Sequence, residues 1–95
     1  MKYKFRIKEK TSQFGFKRYY PQYKRFLFWH YVDANEMDFW LRDYNPDLRP
    51  DLDCEYYGLS FRASFKSFEG AKQGLALVKS FKNINTYKTS KNINM

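Results

Sequence analysis

The chain of 95 residues has a single cysteine, Cys54, and a single histidine, His30. One cysteine excludes an internal disulfide, and a cysteine-rich zinc site would lack ligands. The densest apolar run, Phe26–Trp29, is far shorter than the roughly 18 residues that a membrane-spanning helix needs. No phosphate-binding glycine loop, nucleophile motif or dinucleotide motif is present. The sequence therefore predicts no cofactor, no bound metal and no membrane association.

The N-terminus also lacks the pattern of a secretory signal. Lys and Arg alternate there with apolar residues, so no continuous apolar segment forms. A chain without disulfides fits a reducing compartment. We therefore expect a cytoplasmic protein.

Aromatic and basic residues are abundant. Rings make up 22% of the chain, and 18 lysines and arginines outnumber 10 acidic residues, which gives a net charge of +8. A chain of this length forms one domain, and its rings can build a modest core because each buries about 150–250 Å². The stretch 83–95 consists mostly of Asn, Lys, Thr and Ser. We predict one domain over residues 1–82 and a disordered, low-complexity tail over 83–95.

The charge is unevenly distributed along the chain. Residues 33–55 hold eight acidic and two basic residues, a local net charge of −6. The remainder holds sixteen basic and two acidic residues, a net charge of +14. The sequence therefore predicts an acidic segment on a strongly basic body.

Alternation of apolar and polar residues predicts the strands. Residues 2–10 alternate basic with apolar side chains, and residues 55–65 also alternate, which predicts one strand in each segment. Residues 14–32 predict two further strands or one bent strand, in which Pro21 marks an edge, a bulge or a break. Bulky residues occupy both faces over 25–32, a pattern typical of a central strand covered on both sides.

Helical periodicity predicts a short helix over 34–44. Asp33 and Glu36 have the spacing of a capping box, and a stripe of apolar residues at helical spacing follows them. Asn45-Pro46 ends this helix, because the residue before a proline is disfavoured in helical conformation.

A second helix is predicted over about 68–82, with Ser67 as its N-cap. Gly70 and Gly74 lie one turn apart on this helix and weaken it. They indicate either a close approach to the sheet or to a partner, or simple tolerance of glycine. Between the two helices, the two prolines of residues 46–53 predict a stiff extended loop.

These elements predict an α+β fold of two layers. Three or four antiparallel strands form one layer, and the two helices pack on it. The order along the chain is strand, strand, strand, helix, strand, helix.

Basic and aromatic residues are interleaved at Lys17–Tyr20 and Tyr23–Phe26. Lysine and arginine neutralise phosphates and release counterions, and neighbouring rings can stack on bases. The sequence therefore predicts a small basic nucleic-acid-binding accessory protein that uses one sheet face, for either DNA or RNA. The residues predicted to contact nucleic acid are Lys2, Lys4, Arg6, Lys8, Lys17, Arg18, Tyr20, Lys24, Arg25 and Arg62.

The alternative is a protein-interaction module, such as an inhibitor of a host system or a subunit of an assembly or oligomer. It is suggested by the surplus of rings over 19–31 and by the acidic segment 33–55. The residues predicted to contact a protein partner are Tyr23, Phe28, Trp29, Tyr31, Asp47, Asp51, Asp53 and Glu55.

No catalytic residue is predicted. Asp51, Asp53 and Glu55 would lie on one side of an extended chain, and oxygen-rich clusters suit Mg²⁺ or Ca²⁺. A metal-dependent nuclease is therefore the enzymatic alternative, although the spacing of a calcium-binding loop is absent.

Phe14-Gly15-Phe16 is similar to the glycine–aromatic strand motif of RNA-recognition and cold-shock domains over about three residues. Ser12-Gln13 replaces the basic–glycine pair of that motif, so no function is carried over. The composition resembles that of small accessory proteins from AT-rich phage or mobile-element genomes. That resemblance implies genome handling or virion assembly under the first hypothesis, interference with a host system under the second, and the host cytoplasm as the location.

Overall fold

The structure, a computed structural model, describes residues 3–57 and 60–93, with side chains described over 3–53 and 61–82. It has an α+β fold, as predicted. Its elements in chain order are β1 (Lys4–Thr11), β2 (Lys17–Lys24), β3 (Trp29–Tyr31), α1 (Ala34–Tyr44), a 3₁₀ helix (Pro46–Asp51), β4 (Leu52–Tyr57), β5 (Ser60–Phe65) and α2 (Phe68–Ile93).

The strands form one antiparallel sheet of five strands, in the order β1-β2-β5-β4, with β3 paired to β2 outside this path. Pro21 lies in the middle of β2, opposite Ile7 of β1. On its other side β2 pairs with β5 at Tyr19 and with β3 from Gln22 onward. Pro21 therefore lies at a break in pairing, where a missing N–H costs least, as predicted.

Both helices pack on one face of the sheet. Apolar residues of α1 and α2 form the buried core together with Ala63 and Phe65 of β5. Phe5 and Ile7 of β1 pack against this core, so the odd-numbered residues of β1 point towards the helices. We call this side the helix face. The opposite side, which we call the open face, carries no helix in the described part of the chain.

Helix α1 has the predicted bounds. The Asp33 carboxylate accepts hydrogen bonds from the backbone N–H groups of Asn35 (2.8 Å) and Glu36 (3.1 Å), as an N-cap should. Met37 and Leu41, four residues apart, are fully buried. The predicted N-cap is therefore present, and the buried Met37 and Leu41 follow the predicted helical spacing.

Helix α2 begins at the predicted residue. Ser67 Oγ accepts a hydrogen bond from Gly70 N at 2.9 Å, which confirms the predicted N-cap. The helical backbone continues to Ile93, past the predicted end near residue 82, because residues 83–93 contain no proline or glycine that would stop it. The predicted tail 83–95 therefore has a helical backbone up to Ile93, and residues 94–95 are outside the described residues.

The two glycines of α2 lie at close contacts. A Cβ atom at Gly74 would lie 2.6 Å from Cζ of Phe65, which is fully buried beneath the helix. A Cβ atom at Gly70 would overlap the Asp51 carboxylate. Of the two interpretations of these glycines, the structure therefore supports a close approach.

The predicted covered central strand at 25–32 is wrong. Residues 25–28 form a turn, and β3 is only three residues long. Phe26, Leu27 and Phe28 are 69–79% exposed on this turn. A short apolar run does not distinguish a buried strand from a turn that exposes its rings, because neither has a clear period.

Two further segments differ from the prediction. Residues 46–51 of the predicted extended loop form the 3₁₀ helix, which buries Leu48 and starts with Pro46, whose fixed φ suits the first helical position. The segment 55–65 is split between β4 and β5, which pair as a hairpin, rather than forming one strand. Gly58 lies between the two strands, and residues 58–59 are outside the described residues.

No helix in the described ranges is both long enough and apolar enough to cross a membrane.

Candidate nucleic-acid interface

The register of the sheet decides which side chains share the open face. Residues directly opposite each other on antiparallel strands lie on the same face. Lys4 of β1 is opposite Lys24 of β2, and Lys10 is opposite Arg18. The open face collects seven cations and three rings, namely Lys4, Arg6, Lys8, Lys10, Arg18, Lys24 and Arg62 with Tyr20, Trp29 and Tyr31.

Trp29 lies beneath a guanidinium on this face. The Cζ atom of Arg6 is 4.0 Å from the centre of the Trp29 ring, within cation–π range. Arg6 Nε also donates a hydrogen bond to Gln22 Oε1 at 2.7 Å, and Gln22 is only 2% exposed. Lys24 Nζ approaches the same ring from 5.8 Å. The positions of Arg6 and Trp29 are therefore fixed by three strands.

Tyr31 lies at the centre of a second basic cluster. Arg62 Cζ is 4.0 Å from its ring centre, and Lys10 Nζ is 5.1 Å away. Burial raises the pKa of the Tyr31 hydroxyl, but a hydrogen bond with Lys10 and the charges of Lys10, Lys8 and Arg62 outweigh it. The pKa of Tyr31 is consequently lowered, which indicates a positive potential at this point of the open face.

The charge on the open face changes sign across the sheet. Arg18 Nε pairs with Asp53 of β4 at 3.1 Å, and Glu55 of β4 is opposite Arg62 in register. Acidic residues therefore lie towards the β4 edge. Among the described side chains, no ion pair is formed by five cations of the open face, Lys4, Arg6, Lys8, Lys10 and Lys24.

Most of the predicted nucleic-acid contacts lie together. Seven predicted residues are on the open face, namely Lys4, Arg6, Lys8, Arg18, Tyr20, Lys24 and Arg62. Lys17 is one residue out of phase, lies on the helix face and pairs with Glu9 at 3.4 Å. Arg25 is in the turn after β2, and Lys2 is outside the described residues. The missed residue is Lys10, which continues the alternation of β1.

Two rings predicted to contact a protein partner, Trp29 and Tyr31, belong to the open face as well. Tyr23 lies on the helix face, where it stacks on His30 with ring centres 5.3 Å apart. Phe28 is 71% exposed in the turn between β2 and β3. The predicted aromatic surface is therefore divided among three places in the fold.

Two of the four acidic residues of the second prediction, Asp51 and Asp53, have partners within the fold. Asp51 accepts hydrogen bonds from Ser67 N (3.3 Å) and Ser67 Oγ (3.0 Å), and so holds the start of α2. Asp53 pairs with Arg18 on the open face. Asp47 is exposed in the 3₁₀ helix, and the side chain of Glu55 lies outside the described residues.

Asp38 connects α1 to the 3₁₀ helix. It accepts a hydrogen bond from Arg49 Nε at 2.9 Å and lies 3.6 Å from Arg42 Nη2. The Arg49 hydrogen bond, together with both charges, outweighs burial and lowers the pKa of Asp38. Within the acidic segment, Asp38 and Asp53 are therefore the residues with an arginine partner among the described side chains.

Over the described side chains, no three His, Cys, Asp or Glu residues are grouped so that they could hold a metal ion. No known protein family, curated protein or solved structure matches this chain.

Proposed function

We propose that the protein binds nucleic acid on the open face of its sheet. The observation that carries this proposal is the group of five open-face cations, Lys4, Arg6, Lys8, Lys10 and Lys24, which have no carboxylate partner among the described side chains. Uncompensated lysines and arginines on one surface attract phosphates, and binding then releases the counterions of the nucleic acid.

The cations of β1 form a row. Alternate residues of a strand lie about 6.8 Å apart, so the four cations from Lys4 to Lys10 span about 20 Å along one edge of the sheet. A row of this length can contact several successive phosphates of one strand. Lys24 and Arg62 extend the charge onto the neighbouring strands.

Lysines on an edge strand also have a simpler explanation, because they prevent the edge from pairing with another sheet. This explanation covers β1 alone. Arg18 and Lys24 belong to β2, which has neighbours on both sides, and Arg62 belongs to β5. Protection of the edge therefore does not account for the charge on the inner strands.

A titration of labelled oligonucleotides tests the proposal. Fluorescence anisotropy is measured with random single-stranded and duplex DNA and RNA over a series of salt concentrations. For five phosphate contacts on a single strand, log K should fall with log salt with a slope of about −3.5. Absence of binding at micromolar protein and low salt would show that the open face has another role.

The turn between β2 and β3 favours a second candidate function, a protein-interaction module. Phe26, Leu27 and Phe28 are each more than two-thirds exposed there, and exposed apolar patches mark contact sites. Phe26→Ser with Phe28→Ser should abolish capture of a protein partner while nucleic-acid binding persists. If this variant still captured the same partner, the turn would not be the contact site.

A further inference from the structure

A pocket lies at the end of the open face, beneath the turn that joins β1 to β2. Its volume is about 480 Å³, within the range of small-molecule sites. Apolar rings and cations line it together. The lining residues are Lys10, Thr11, Ser12, Phe14, Phe16, Arg18 and Tyr20.

The turn above the pocket is held in shape by its own hydrogen bonds. Ser12 Oγ accepts from Phe14 N (3.2 Å) and Phe16 N (3.1 Å), and Ser12 N donates to Phe16 O at 2.8 Å. Gly15 supplies the positive φ of 87° that closes the turn. This frame keeps Phe14 and Phe16 77% and 66% exposed, away from the core. Two rings are thereby presented to solvent on an ordered loop.

Two cations line the pocket together with these rings. Lys10 and Arg18 are opposite each other in register, and both face the pocket. Arg18 Nε is fixed by Asp53 at 3.1 Å. A ligand that contacts both the rings and the cations has a flat aromatic part and an anionic part. A nucleotide has this combination.

We propose that this pocket receives one unpaired base of a bound single strand, stacked on Phe14 or Phe16, with an adjacent phosphate on Lys10 and Arg18. This inference rests on the proposed nucleic-acid binding and specifies its substrate as single-stranded. A base in a duplex is stacked and paired, so it does not reach the rings without being flipped out at a cost of a few kcal/mol.

Two double variants, one in the turn between β1 and β2 and one in the turn between β2 and β3, test the inference by fluorescence anisotropy. The probes are a single-stranded 15-mer and the duplex of the same sequence. Phe14→Ala with Phe16→Ala should weaken single-strand binding about tenfold or more, because a stacked base is lost. The salt dependence should not change, since no phosphate contact is removed. Affinity for the duplex should stay within twofold.

The matched control is Phe26→Ala with Phe28→Ala, which removes two equally exposed rings from the other turn. It should leave single-strand binding unchanged. All four rings are exposed, so circular dichroism and thermal melting should show both variants folded. Equal loss in both variants, or wild-type affinity in the Phe14/Phe16 variant, would overturn the inference while leaving nucleic-acid binding on the open face intact.

Ultraviolet cross-linking locates the base directly. Trypsin cleaves after Lys10 and Lys17, so a base in the pocket should attach to the peptide Thr11–Lys17. Cross-links confined to the peptide Phe26–Arg42, which holds Trp29 and Tyr31 of the open face as well as the other turn, would place the base outside the pocket and contradict the inference. If the wild-type protein binds no oligonucleotide of any kind, the proposed function and this inference are both overturned.

Discussion

The guanidinium of Arg6 covers the ring of Trp29 at 4.0 Å and is held there by a hydrogen bond to Gln22. This contact joins a cation of β1 to a ring of β3 on the open face. A nucleic acid bound there would compete for both groups, so the environment of Trp29 reports on binding.

The chain has two tryptophans, Trp29 and Trp40, so replacing one of them allows the fluorescence of the other to be observed alone. In a Trp40→Phe variant, we expect the emission of Trp29 to change when a single-stranded oligonucleotide is added. The control is Trp29→Phe, which leaves Trp40 on the helix side, stacked on Phe81 with ring centres 4.7 Å apart. Its emission should not respond. A response from Trp40 alone would place binding away from the open face.

The lowered pKa of Tyr31 predicts an effect of Lys10. Burial opposes this lowering, and Lys10 causes most of it through a hydrogen bond and its charge. Lys10→Met should therefore raise the pKa of Tyr31. This pKa is measured from the difference in ultraviolet absorbance between proteins with and without the Tyr31→Phe substitution, or by NMR of the ring. Lys79→Met, on the helix face near Phe5, removes the same charge and should leave the pKa of Tyr31 where it is.

The sign of the stability effect follows from the same shift. Because the folded-state pKa of Tyr31 is below its unfolded value, the phenolate stabilises the fold at pH values above the unfolded pKa. This stabilisation is lost as pH falls through the lowered folded pKa. Wild type should thus gain stability over Tyr31→Phe as pH rises through this window. A constant difference across the window would contradict the proposed charge cluster.

The lowered pKa of Asp38 predicts how the stability of the protein changes at acidic pH. Its folded-state pKa is lowered, first by the hydrogen bond from Arg49. The stability it contributes is therefore present above its unfolded pKa and lost as pH falls through the lowered value. Urea unfolding should show Arg49→Gln less stable than wild type at neutral pH, with the two converging at acidic pH, below the lowered pKa of Asp38. If the difference in stability between wild type and Arg49→Gln were the same at neutral and at acidic pH, the loss would come from packing and not from the charge of Asp38.

Because Gly74 lies in close contact with Phe65, we expect that replacing this helical glycine with alanine destabilises the protein. Gly74→Ala gains about 1 kcal/mol of helix propensity, but overpacking against a fully buried ring costs about 1–3 kcal/mol. We expect a net loss of about 1 kcal/mol in the free energy of unfolding, measured by urea denaturation. Ala76→Gly, at an exposed position of α2, calibrates the propensity in this helix. Stabilisation by Gly74→Ala equal to the loss in Ala76→Gly would refute the close contact.

Local patterns predicted the fold class and most of the cations that share the open face. The alternation of β1 places Lys4, Arg6 and Lys8 on one face, and the Asp33 cap with its apolar stripe gives α1 its bounds. Lys17 was misplaced because it was grouped with Arg18 by adjacency, whereas neighbours on a strand point to opposite faces.

Long-range pairing decided the rest. Trp29 and Tyr31 join the cations only because the short β3 folds back on β2, opposite Lys24 and Gln22. A strand of three residues is too short to show a periodicity from which that pairing could be predicted. The pocket of Phe14 and Phe16 likewise depends on the Ser12 hydrogen bonds, which a single sequence suggests only as a turn.

A comparison of two charge-matched variants tests the site of nucleic-acid binding most directly. One variant replaces three open-face lysines, Lys4, Lys8 and Lys24, with alanine. The other replaces three exposed lysines outside the strands of that face, Lys66 after β5 and Lys72 and Lys79 of α2, with alanine, so both lose the same charge. In anisotropy with one single-stranded probe, the first should lose at least tenfold in affinity and about 2 units of salt slope, and the second should stay near wild type. Equal losses would show attraction by net charge alone and would contradict a binding site on the open face.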